Sequence, residues 1–199
     1  MEIDKLLEIF TLVTGVFYLF FEIKQKNAMW VLGILSGMAA VVVFLQQKLY
    51  ASMGLNLYYS CVSVWGLYSW IRDSKKLKES AGSGSVASDI HLRKIPLKAI
   101  IISALVLVVG TFAFSALLTR IGDPASTTDS GVTILSAIAT VWLARAYPSQ
   151  WILWIIADLL SAVMCFNAGI YWMCALYAFY SISAVYGYFH WRSKGVYIE

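Results

Sequence analysis

Charge is scarce in this chain. Asp, Glu, Lys and Arg make up 13% of its 199 residues, against 60% hydrophobic residues and a mean hydropathy of +0.74. A soluble domain carries roughly 25% charged residues, so the composition excludes an ordinary water-soluble globule and places the chain in a bilayer. Cysteine is limited to Cys61, Cys165 and Cys174, an odd number within apolar runs and without ligand spacing. That excludes a disulfide framework and offers no metal site; the three read as small packing residues. No Walker loop, dinucleotide fingerprint, HExxH or GxSxG occurs, which removes direct ATP coupling and any cofactor-bearing or hydrolytic motif. His91 and His190 have no catalytic partner at a recognisable spacing, so an enzyme is not expected. The first apolar run opens on Glu2 and Asp4 rather than on basic residues, and no small-residue cleavage site follows. It reads as a retained helix, not a signal peptide.

What the chain does have is a series of apolar runs near the ~20 residues that cross a hydrocarbon core. They fall at about 4–23, 28–46, 51–71, 97–119, 129–147, 149–166 and 170–191, predicting an all-α membrane protein of seven transmembrane helices. Basic residues sort by loop. One face takes Lys24, Lys26, Arg72, Lys75, Lys76, Lys78, Arg93, Lys94, Lys98, Arg145, Arg192 and Lys194, and the other only Lys5, Lys48 and Arg120. Because Lys and Arg near helix ends stay cytoplasmic, the N-terminus is expected outside and the C-terminus in the cytoplasm of a bacterial inner membrane. The net charge of +4 is on this reading a topology signal, and no nucleic-acid partner is expected.

Residues 30–70 recur without a gap as residues 151–191. At an offset of 121, Trp30, Leu32, Ile34, Val42, Tyr50, Leu55, Tyr59, Ser60, Val64, Gly66 and Trp70 meet Trp151, Leu153, Ile155, Val163, Tyr171, Leu176, Tyr180, Ser181, Val185, Gly187 and Trp191. The chain therefore divides into a first three-helix repeat (1–71), a flexible cytoplasmic linker (72–96), a connecting helix (97–119) and a second three-helix repeat (129–192). An odd number of spans per copy would invert the second copy, and the extra crossing restores its direction. The expected arrangement is 3+1+3 with parallel repeats, as in the sugar-transporting SWEET bundles, with a ligand cleft between the halves.

Repeated positions fall on stripes at helical spacing. Helix six presents Trp151, Trp154, Asp158, Ser161 and Cys165; helix three presents Asn56, Tyr59, Ser63, Gly66 and Trp70. Asp158 stands near the middle of its span, where a carboxylate costs about 2.5 to 3.5 kcal/mol and is rarely kept without a role. It either attracts a cation or bonds hydroxyls such as Ser136 or Ser161 as interhelical glue. The Asn56 amide supplies donors and acceptors for a ligand, with glue again the rival. Trp65, Trp154 and Tyr177 lie deep enough to stack on a flat or cationic ring, or else pack the core. Trp30, Trp70, Trp151 and Trp191 read as an aromatic belt. Glu22, beside Lys24 and Lys26, reads as a surface ion pair.

The order of spans and the run Asn56, Tyr59, Trp65, Gly66, Trp70, answered by Trp151, Trp154, Asp158, Tyr180, Gly187, Trp191, resembles the PnuC family of vitamin transporters over nearly the whole chain. The resemblance implies facilitated diffusion of nicotinamide riboside, or of thiamine as in relatives called PnuT, with a cytoplasmic kinase trapping the vitamin. It also implies a midplane substrate site, for which the matching candidates are Asn56, Trp65, Trp151, Trp154, Asp158 and Tyr177. No cofactor or metal is implied. The expected partners are a cationic vitamin, membrane lipid and a second copy of the chain. The rival readings are a non-transporting membrane subunit or receptor and, more weakly, an intramembrane enzyme.

Overall fold

The computed structural model describes residues 15–46, 50–81, 90–120 and 127–198. Among them are seven helices: α1 (15–23), α2 (Ala28–Gln46), α3 (Tyr50–Ala81), α4 (Leu97–Arg120), α5 (Thr127–Ala144), α6 (Gln150–Asn167) and α7 (Tyr171–Lys194). A two-residue parallel ladder pairs β1 (His91–Leu92) with β2 (Val196–Tyr197). The fold is thus helical apart from one small clasp. Among the described residues α2, α4 and α6 are long and apolar enough to cross a membrane. α4 turns Leu97, Ile101, Leu105, Val109 and Phe112 outward, an apolar face that water would not tolerate at this extent.

The duplication seen in the sequence recurs in the backbone. α1 and α5 both end on a left-handed residue that is not glycine, Gln25 (φ 50°) and Ala146 (φ 53°), 121 positions apart. Such conformations are uncommon outside glycine and need local support. Each turn supplies the same pair of bonds: Lys26 N–H donates to Phe21 O at 2.8 Å and Gln25 N–H to Glu22 O at 3.0 Å, as Tyr147 N–H donates to Trp142 O at 3.0 Å and Ala146 N–H to Leu143 O at 2.9 Å. This double closure satisfies the last carbonyls of the helix and sets the reversal into α2 or α6.

Above these turns sit four tryptophans. A Cβ on Gly66 would lie 2.6 Å from the Trp30 ring, and one on Gly187 would lie 2.7 Å from the Trp151 ring. Each missing side chain is therefore the groove that takes an indole from the preceding helix. Trp30 meets Trp70 edge-on at 5.1 Å, Trp151 meets Trp191 at 5.5 Å, and Trp70 meets Trp191 at 6.1 Å between the copies. All four are at most 1% exposed, which corrects their reading as an aromatic belt. Each edge-to-face pair adds about 0.5–1.5 kcal/mol beyond area burial. Trp70 Nε1 donates to Leu143 O at the end of α5, and Trp191 Nε1 donates to Ile23 O at the end of α1. The first helix of each copy is thereby anchored to the third helix of the other.

The stretch expected to be a flexible linker is partly structured. α3 runs on to Ala81, and Asp73 in this extension is fully buried, held by Arg93 Nη2 at 2.6 Å and Nε at 2.9 Å. The backbone of His91 exchanges two hydrogen bonds with the Gln25 side chain, and Arg93 N–H donates to Ala146 O at 3.1 Å. Residues 90–93 therefore stitch together the turns of both copies. The glycine–serine core of the stretch, residues 82–85, lies outside the described residues.

Candidate functional site

A cavity of about 210 Å³ lies between α1 of the first copy and α6 and α7 of the second. Helical spacing of three and four puts each set of lining side chains on one face. α1 contributes Gly15, Tyr18, Leu19 and Glu22; α6 contributes Trp151, Trp154 and Asp158; α7 contributes Tyr180 and Ala184. Gly15 faces the Tyr180 hydroxyl, so α1 approaches α7 closely at one end of the hollow. Trp151 and Glu22 mark the other end, near the tight turns. Asp158 stands about two turns into α6, deep in the bundle.

The site is apolar with concentrated polar groups. Glu22 is 5% exposed and Asp158 8%, and among the described residues no basic side chain lines the space. Ser161 Oγ donates to Ala157 O and Thr140 Oγ1 to Ser136 O; no hydrogen bond reaches Asp158 among the described residues. Trp151 Nε1 and Trp154 Nε1 in this wall are buried without a hydrogen-bond partner among the described residues, and Glu22 stands beside the Gln150 amide. Buried polar atoms are almost always paired, so a hollow with two unpaired indole N–H groups and two carboxyl groups in its wall is the candidate site. Two acidic groups and two indoles suit a flat aromatic cation, held by charge and by ring faces.

The structure brings Trp151, Trp154 and Asp158 together on this lining and leaves Asn56, Trp65 and Tyr177 off it. The Asn56 Nδ2 donates to Ser52 O within its own helix. Trp65 packs against the tryptophan cluster under the Arg145 guanidinium at 4.9 Å. Tyr177 meets Tyr180 edge-on at 6.4 Å from one turn earlier on α7. Glu22 is a correction: it is buried in the cavity wall, not paired at the surface. The neighbouring lysines suggested exposure, but Lys24 folds over the Phe20 ring at 4.4 Å. The signal that finds Glu22 is its spacing of four from Tyr18. A larger groove between α3, α4 and α5, with Leu55, Tyr58, Ile102 and Trp142 among its walls, carries no carboxylate or cation among the described residues.

Sequence and fold comparisons agree with this architecture. The family model described as nicotinamide mononucleotide transporter matches residues 5–193. The nicotinamide riboside transporter PnuC of Neisseria mucosa is 28% identical over 186 residues, covering 90% of this chain and 69% of that protein. Its namesake from Escherichia coli K12 is 23% identical over 192 residues, covering 84% of this chain and 77% of that protein. The crystal structure of the Vitamin B3 transporter PnuC, at 26% identity, matches with a TM-score of 0.64 over 92% of this chain and 78% of that one. With a match that runs almost end to end and a shared helical fold, the chain belongs to the nicotinamide mononucleotide transporter family, the PnuC family of membrane transporters, which is a family of transporters and not of enzymes.

Proposed function

We propose that this protein takes up nicotinamide riboside across the bacterial inner membrane by facilitated diffusion, with alternating access around the α1–α6–α7 cavity. The observation that carries the reading is a hollow walled by Trp151, Trp154, Glu22 and Asp158, with no basic side chain in its wall among the described residues. The riboside is a flat ring with a fixed positive charge. A carboxylate in a low-dielectric site attracts such a charge far more strongly than in water, and indole faces add about 0.5–2 kcal/mol per contact. Relatives named nicotinamide riboside transporter support the same substrate.

In this reading the helices form two parallel three-helix repeats joined by α4, with the N-terminus outside and the C-terminus cytoplasmic. Asp158 holds the ring, Trp154 and Trp151 stack on it, and Asn56, Trp65 and Tyr177 meet the solute as the halves rock. The acidic wall also fits kinase trapping. Once phosphorylated, the vitamin carries a doubly charged group that two carboxylates repel, so the product does not re-enter.

Uptake of radiolabelled nicotinamide riboside into proteoliposomes tests the proposal, with thiamine as the parallel substrate because it too is a flat aromatic cation. Saturable riboside uptake is expected. Thiamine uptake alone reassigns the vitamin, and uptake of neither favours a subunit or receptor that does not transport.

A further inference from the structure

A second hollow, of about 280 Å³, opens at the end of the bundle where the 90–93 clasp sits. Its polar walls come from separate stretches of the chain: Arg93 and Lys94 ahead of α4, Ser149 at the start of α6, Tyr188 and Arg192 on α7, and Tyr197 on β2. Every one of these side chains can donate a hydrogen bond. Among the described residues no carboxylate lines the space. The acid that meets this wall is Asp73, fully buried behind Arg93 and also 3.4 Å from Arg72. One carboxylate thus answers two guanidiniums, and Lys94 and Arg192 add two further positive charges.

The donors are held ready. Asp73 takes the Nε and Nη2 of Arg93 at 2.9 and 2.6 Å, which fixes the guanidinium in place and leaves Nη1 outside that pair. Arg192 Nη1 donates to the Tyr188 hydroxyl at 2.9 Å, so that hydroxyl keeps its own proton to give. Ser149 is the N-cap of α6, yet its side chain makes no capping bond. The shared frame does not ask for any of this. At an offset of 121 the mates of Ser149, Tyr188 and Arg192 are Ala28, Leu67 and Ile71, all apolar. Topology accounts for basic residues at one end of a membrane bundle, but it is met equally well by charges spread over the surface. Gathering three cations and three hydroxyls round one hollow costs mutual repulsion, which a bound anion relieves.

The donors approach from several directions. A planar carboxylate has two oxygens to offer them, whereas a phosphate group presents oxygens on a tetrahedron and suits arginine pairs in particular. We propose that this hollow is a phosphate-binding site, with Arg93, Lys94 and Arg192 as its cations and Ser149, Tyr188 and Tyr197 as its neutral donors. An anionic phospholipid headgroup and a soluble phosphate share that chemistry. The apolar outer face of α4, which starts at Leu97 just past this wall, would carry the chains of the former. The assignment is independent of which solute the α1–α6–α7 cavity moves.

Thermal unfolding of the full chain in a non-ionic detergent, at fixed ionic strength, tests the assignment with two probes. One is inorganic phosphate; the other is dihexanoylphosphatidylglycerol, a short-chain anionic phospholipid. Sodium chloride and the zwitterionic dihexanoylphosphatidylcholine are the controls. A saturable rise of the midpoint by about 3 °C or more is expected with at least one probe. Arg192→Ile, which copies the repeat mate, should weaken that probe about tenfold or more, because a hydrogen bond to a charged partner is lost. Tyr188→Phe keeps the ring and loses the hydroxyl, so about a 3-fold loss is expected, and it serves if Arg192→Ile does not fold. Lys76→Ala removes the same charge from an exposed position outside the hollow and should change affinity by less than about twofold.

A rise with the lipid alone assigns the hollow to a headgroup, and a rise with inorganic phosphate alone assigns it to a soluble anion; a rise with both leaves the site open to either source. The assignment is overturned by no rise with either probe, by an equal rise with the controls, or by an affinity that Arg192→Ile and Tyr188→Phe leave unchanged. Equal weakening by Lys76→Ala also overturns it, since the effect would then belong to the surface charge as a whole. Riboside uptake stands or falls separately from each of these outcomes.

Discussion

The two copies share their frame and differ in one seam. Trp30 on Gly66 and Trp151 on Gly187 are the same knob in the same groove, and the turns at Gln25 and Ala146 close with the same hydrogen bonds. One helical turn further along, the copies part. The first has Gly33 packed against Ser63, and Gly37 against Ser60, so α2 and α3 meet closely. At the mates of those glycines the second has Trp154 and Asp158, which with α1 wall a cavity. The shared contacts form a common frame, and the cavity lies where the second copy departs from it.

The largest effect should come from the clasp that both copies use. Asp73→Ala removes the partner of Arg93 at 2.6 Å and leaves a guanidinium facing an emptied buried site, a class of change that costs about 3 kcal/mol or more. Thermal unfolding in detergent should fall accordingly; a loss below about 0.5 kcal/mol would mean that the 90–93 segment does not tie the copies together.

Next come the paired glycines. Gly66→Ala and Gly187→Ala each force a Cβ against an indole ring, at 2.6 and 2.7 Å, and overpacking of this kind costs about 1–3 kcal/mol. The stability losses should match, because the frame is shared. Ligand affinity should fall only in Gly187→Ala, because Trp151 lines the cavity and Trp30 does not. Equal losses of affinity would show that the cavity is not the asymmetric element.

Asp158 and its mate Gly37 sharpen the contrast. Asp158→Asn should weaken nicotinamide riboside about tenfold, roughly 1.4 kcal/mol, with stability little changed. Gly37→Ala meets the Ser60 hydroxyl and, at 3.4 Å, the Asn56 carbonyl, both remote from the cavity lining, and should leave affinity unaltered. Direct binding measurements on both variants distinguish this from Asp158 acting as glue, in which case stability would drop and affinity would hold.

The smallest effect concerns pH. Burial pushes the His91 imidazole down to about 4, against an opposing pull from Asp73, while an unfolded histidine titrates near 6.5. Between those values the unfolded chain binds the extra proton, so stability decreases as pH falls from about 6.5 toward 4. His91→Leu should flatten that slope in thermal unfolding series; an unchanged slope would place its origin in other groups.

Much of the frame was legible from spacing. The Trp30–Gly66 and Trp151–Gly187 correspondences appear as a gapless repeat, and the stripe Trp151, Trp154, Asp158 does line one wall of the cavity. The rest depended on neighbours remote in the chain. Trp70 and Trp191 were read as surface anchors because they sit near helix ends beside basic residues, whereas their indoles are capped by Leu143 and Ile23 from other helices. Glu22 was read from Lys24 and Lys26, although the face it shares with Tyr18 points the opposite way. The segment at His91 and Leu92 looks like linker because its partners are Gln25, Ala146 and the strand at Val196.

By itself the sequence determined that this is a helical protein of the bilayer, built on a duplicated unit, since composition and periodicity are local properties that a helix expresses wherever it packs. Tertiary structure alone decided which polar side chains face a common hollow. Burial of Glu22 and Asp158 together is set by how α1 crosses onto α6 and α7, and that crossing is fixed by contacts such as Trp191 with Ile23, 168 residues apart.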